Sequence, residues 1–138
     1  MSTLALILLA RAVHVLGGVF WAGSTLLMTW VVFPIGARHA AQGGASWLDE
    51  IRRKAGPMAG ISALLTVLSG IYLMVVLHPH DASPGGRVLQ AGALAAILSF
   101  FVGIGLRKRG AIGPILTATL IALAVLSMAT FRYVQALG

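Results

Sequence analysis

Four apolar runs, roughly residues 4–35, 57–77, 88–106 and 111–131, take up most of this chain and decide what it can fold into. A helix needs about 20 predominantly apolar residues to cross a bilayer, and each run has that length. Lipid offers the backbone no hydrogen-bond partners, so only helices and closed barrels can span it. Barrel strands alternate apolar and polar residues with period two, and none of the runs does. Charged residues make up only 9% of the 138 residues, where a soluble domain carries about 25%. The sequence therefore predicts an all-α fold: one integral membrane domain, an antiparallel four-helix bundle covering residues 1–138. A cleaved secretory signal would have a basic start and a short apolar core. Here the first run is far longer and its early basic residue, Arg11, lies inside it, so it is expected to remain as a span.

The net charge of +7 raises the question of nucleic acid. Its placement answers differently. Arg38, Arg52, Arg53 and Lys54 fall in the first loop and Arg107, Lys108 and Arg109 in the third; Arg11, Arg87 and Arg132 lie toward the other side. Basic residues concentrate in cytoplasmic loops. The expectation is a bacterial inner-membrane protein with loops 1 and 3 inside and both termini periplasmic. Its partners are then membrane lipid and, beyond lipid, other membrane subunits or further copies of itself; no nucleic acid is expected.

At 1.5 Å per residue the first run would measure about 48 Å against a hydrocarbon core of about 30 Å. It must tilt, project or bend, with Gly17-Gly18 as a bend point and Pro34 as its end. Loop 1 reads as a Gly-rich start followed by a short amphipathic turn. Ser46 is expected to cap that turn, with Asp49 and Glu50 at its start and Arg52, Arg53 and Lys54 at its close. Trp47 and Leu48 are expected at the interface. Loop 3 is so short that the last two helices must form a hairpin.

Within this apolar frame, RAVHVLGGVFWAG sets Arg11 and His14 inside the first span. Ionisable groups there are costly, by about 2.5–3.5 kcal/mol on insertion scales, and point to function. Arg11, His14, Gly17 or Gly18, Trp21, Thr25 and Met28 share one helix face. The two glycines leave room for something flat or for a close helix neighbour. The same outward half receives Thr66, Ser69, Gly70 and Tyr72 from helix 2, His78 and His80 after it, and Met128 and Arg132 from helix 4. Bundle cores are where haem and metal sites are built from facing helices. His14, Arg11, Arg132, Met128 and His78 are therefore expected at one end of the bundle.

The residues leave three readings of function open: a membrane protein binding b-type haem for redox or haem handling, a non-catalytic structural or assembly subunit of a larger membrane complex, and an outward-facing copper-handling protein. His14 is an axial ligand of b-type haem, a neutral histidine bonded to Ser69, Thr66 or a carbonyl, or a group for copper, proton relay or quinone contact. Arg11 and Arg132 either snorkel to headgroups or pair with haem propionates. Met128 is a packing residue or a second axial ligand. His78 and His80, an HxH pair around Pro79, are a solvated turn or an outer copper or zinc site. The chain has no cysteine, which excludes disulfides, thiolate metal sites and covalent haem attachment. Its only acids, Asp49, Glu50 and Asp81, lie outside the apolar runs, so paired-carboxylate catalysis has no basis.

The pattern His14-x6-Trp21-x-Gly23, on a first helix ending in Pro34, resembles a superfamily of small bacterial membrane proteins. It includes the copper-resistance D family and the haem-containing membrane protoporphyrinogen oxidase family. Across all four helices the chain is more similar to small bacterial four-helix membrane proteins that share HVLGGVFWAGS, LTVLSGIY and MATFRY. The resemblance implies haem ligation by His14. The oxidase family's second ligand is a lysine on a later helix, and none of the four runs here contains a lysine.

Overall fold

The computed structural model describes residues 2–39, 44–78, 82–106 and 112–137. They form four helices long and apolar enough to cross a membrane: α1 (Thr3–Arg38), α2 (Gly44–Leu77), α3 (Pro84–Gly105) and α4 (Ile112–Leu137). No strand occurs among the described residues. Large apolar side chains face outward along every helix, including Leu16 at 72% and Val19 at 69% exposure. Soluble proteins rarely show such continuous apolar surface. The chain is a multi-pass membrane protein whose outer surface meets lipid.

Two expectations about helix ends are corrected. Pro34 does not end the first helix. The α-helix runs unbroken through Gly17-Gly18, widens into a π-turn at Met28–Val32 and continues as Phe33–Arg38. Proline lacks an N–H and its ring crowds the carbonyl four residues back, here that of Trp30. In the widened turn the Phe33 N–H bonds the Met28 carbonyl, five residues back, and the helix carries past the proline. Nor does Pro57 start the second helix. α2 begins thirteen residues earlier, at Gly44, and holds Pro57 in its interior. The predicted amphipathic turn is thus the first part of α2, and Ser46 lies within the helix rather than capping it. The Asp49–Arg52 and Glu50–Lys54 pairs are ordinary i,i+3 and i,i+4 contacts on its exposed side, at 3.6 and 3.1 Å. Lys54 is consequently a helix residue, contrary to the sequence reading. It stands twelve residues before the level of His14, about 18 Å along the axis.

The helices pair as two antiparallel hairpins, α1 with α2 and α3 with α4. Small residues make the seams. A Cβ on Gly92 would lie 2.7 Å from the Ser127 Cβ, one on Gly85 would lie 2.6 Å from the Gln135 Cβ, and one on Gly113 would lie 2.5 Å from the Leu106 carbonyl. Membrane helices have no hydrophobic drive toward each other, so close backbone approach and dispersion hold them. The Ser99 hydroxyl adds a buried bond to the Thr117 carbonyl at 3.0 Å. Overpacking a tight seam costs about 1–3 kcal/mol. Gly92→Leu is expected to lower resistance to SDS unfolding by that much, while Gly23→Leu, whose Cβ meets nothing within 4 Å, leaves it unchanged.

Trp21, Ala22, Ala63, Ala96, Ile121 and Ala124 bring all four helices together in one core at mid-height. On either side of this waist the hairpins part, leaving one cavity toward each end of the bundle.

Candidate functional site

The cavity nearer the chain termini, about 370 Å³, is lined by residues from both hairpins. α1 contributes Arg11 and His14, α2 contributes Thr66, Gly70 and Met74, and His78 closes the end of α2. α3 adds Ala93 and Ile97, and α4 adds Met128 and Phe131. The lining is overwhelmingly apolar.

His14 is held by α2. Its Nδ1 lies 2.8 Å from the backbone carbonyl of Thr66. A carbonyl can only accept, so Nδ1 carries the proton and donates, and Nε2 is the nitrogen left for another partner. The Ser69 hydroxyl stands 3.5 Å from Nδ1 and donates to the Leu65 carbonyl at 2.6 Å. The ring can come this close to α2 because residue 70 is glycine. A Cβ there would come within 2.7 Å of His14 Cε1 and 3.1 Å of Nδ1. An N–H donated to a carbonyl is how metal-binding histidines are oriented and their tautomer fixed.

The other predicted site residues divide. Arg11, His14, Met128 and His78 do line one cavity. His78 also meets Phe131 edge-on, with centroids 6.1 Å apart, which joins the ends of α2 and α4 across the hairpin boundary. Arg132 is exposed and outside the lining, one residue beyond Phe131. Gly18 is outside it as well: its Cβ position lies 3.5 Å from the Thr66 methyl. Gly17 is tighter still, 2.7 Å from the Thr66 hydroxyl oxygen. Both glycines lie on the α1–α2 seam, against Thr66. His80 lies outside the described residues, as do Pro79 and Asp81. Trp47 is exposed, while Leu48 is buried against Gly36 rather than at the interface.

Sequence reasoning placed Gly70 at the depth of His14 without assigning it the ring contact. The signal was its i+4 spacing from Thr66, which puts both on the face that meets α1. Among the described residues no three histidine or acidic side chains gather where they could hold a metal ion by themselves. Compared with protein-family models, curated proteins and solved structures, the chain gives no match in any of the three.

Proposed function

We propose that this membrane protein binds one b-type haem in the cavity between its hairpins, for electron transfer or haem handling, with His14 Nε2 as axial ligand. The observation that carries this reading is the 2.8 Å bond from Nδ1 to the Thr66 carbonyl, which reserves the other ring nitrogen for a ligand. The remaining residues fit a haem. The cavity volume falls within the range of about 300–1,000 Å³ typical of ligand sites, and its walls are apolar. A porphyrin brings four ligands of its own, so one or two protein side chains suffice. Met128 lines the same cavity from the opposite hairpin and is the candidate second ligand. Arg11 lines it at the chain-terminal end and suits a propionate, with Arg132 beyond the mouth. When bound, the iron would supply one-electron exchange.

A bare copper or zinc ion at His78 and His80 has less support, since such an ion needs three or four protein ligands. Parallel titrations of the purified protein with haemin and with a copper salt separate the readings. One haemin per chain is expected to bind with a shifted Soret band, and no copper is expected to survive desalting. Retained stoichiometric copper without haemin uptake would reverse the assignment.

The orientation follows from the basic loops: loops 1 and 3 in the cytoplasm and the termini in the periplasm of a bacterial inner membrane. A cysteine at Ser83 is expected to react with a membrane-impermeant maleimide in whole cells. A cysteine at Ser46 is expected to react only after lysis. Labelling of the Ser46 position in intact cells would invert the topology.

A further inference from the structure

Beyond the Trp21 waist, at the end opposite His14, the hairpins part into an open cleft of about 1260 Å³. This exceeds the range of about 300–1,000 Å³ usual for small-molecule sites. Gly56, Gly60 and Ala63 on α2 and Gly103 on α3 keep its walls low. Of the five hydroxyls in its lining, four are committed to backbone carbonyls: Ser24 to Trp21 at 3.1 Å, Thr29 to Pro114 at 3.4 Å, Ser99 to Thr117 at 3.0 Å and Thr117 to Gly113 at 2.8 Å; the fifth is Thr25. Such walls suit hydrocarbon, not a polar solute.

Among the described residues, one charged side chain stands in the lining. The Arg52 guanidinium stacks over Phe33, its Cζ 4.7 Å from the ring centroid, where the end of α1 meets the start of α2. Its sole acidic neighbour among the described residues is Asp49, at 3.6 Å and exposed. A guanidinium has five N–H donors in a fork suited to phosphate, and one long contact leaves most of them available. Arg38, Arg53 and Lys54 stand on the same helix ends, and Glu50 is already paired with Lys54. The mouth is therefore net positive and the interior apolar.

We propose that this cleft binds an anionic phospholipid, with an acyl chain between the hairpins and its phosphate on Arg52. A zwitterionic lipid carries its own ammonium beside the phosphate and gains less from a positive mouth. The site is separate from the His14 cavity and does not depend on haem binding.

Trp21 reports on the cleft, because it lines it while being only 5% exposed. In a Trp30→Phe/Trp47→Phe background it is the sole tryptophan. That protein is placed in nanodiscs of phosphatidylcholine containing increasing brominated-chain phosphatidylglycerol, or brominated phosphatidylcholine at equal bromine. Half-quenching of Trp21 is expected at an about fivefold lower fraction of phosphatidylglycerol, the scale of one basic residue acting on an anionic headgroup. Arg52→Gln is expected to erase the preference, Arg52→Lys to keep part of it, and 50 mM inorganic phosphate (an excess, on the order of typical buffers) to leave it unchanged because the acyl chain supplies much of the binding. Gly60→Leu, whose Cβ meets nothing within 4 Å, is expected to reduce quenching by both lipids by filling the cleft without disturbing a seam. Equal quenching by the two lipids, no quenching by either, or a preference that survives Arg52→Gln would overturn the proposal.

Discussion

His14→Ala is expected to lose haem retention, with affinity falling more than about 100-fold. Even partners one step removed from a metal are worth about 10–100-fold, and His14 is the imidazole that the α1–α2 packing sets against the cavity. The alanine variant keeps Gly17 and Gly18 on Thr66 and so keeps the seam that holds the hairpin. It should purify as a folded protein with an unchanged helical circular-dichroism spectrum. Free imidazole added to this variant is expected to restore part of the Soret band by entering the space vacated by the side chain. A merely structural histidine gives the opposite pattern: lower thermal stability, no change in haem content and no response to imidazole.

Gly70→Ala carries the second large effect, and it does so without touching the ligand. The new methyl would sit 2.7 Å from His14 Cε1 and 3.1 Å from Nδ1, nearer than carbon and nitrogen tolerate, so the ring must move. Moving it stretches the 2.8 Å bond to the Thr66 carbonyl, the short contact that fixes which nitrogen is free. Haem affinity is expected to fall about 10–100-fold, as for the loss of other partners that orient a ligand. Gly23→Ala makes the matched control. It meets nothing within 4 Å and leaves haem binding intact. Haemin titrations of the three proteins measure this. Equal affinities would show that the ring's position does not matter to the ligand.

How far the sequence could be read depended on the range of the interaction. Hydropathy over about 20 residues set the number of helices, and the short third loop set one hairpin. Face geometry along α1 and the shared depth of His14, Met128 and His78 brought these residues to one cavity. The ends of the helices were less legible. Pro34 and Pro57 are strong local breakers, but each was overridden by helix on both sides, Pro34 through a π-turn that depends on the following Phe33–Arg38 segment. The glycines were legible as permissive, not as to which partner they admitted. That Gly17 and Gly18 face Thr66, some fifty residues away, was set by the packing of α2 and not by anything local to α1. Arg132 shares a helix face with Met128, as its i+4 spacing suggests, but lies a turn nearer the chain end, exposed and beyond the lining. The cleft at the Arg52 end could not be foreseen at all, since it is the space that two small-residue seams leave between hairpins.

The central claim is that His14 presents Nε2 to iron, and the absorption spectrum of wild-type protein purified in mild detergent from haem-replete cells tests it most directly. The account predicts a Soret band that sharpens and shifts on dithionite reduction, with pyridine haemochrome analysis giving close to one b-type haem per chain. A wild-type spectrum without Soret absorbance, from protein that also takes up no added haemin, would contradict it and leave His14 as the polar anchor between α1 and α2.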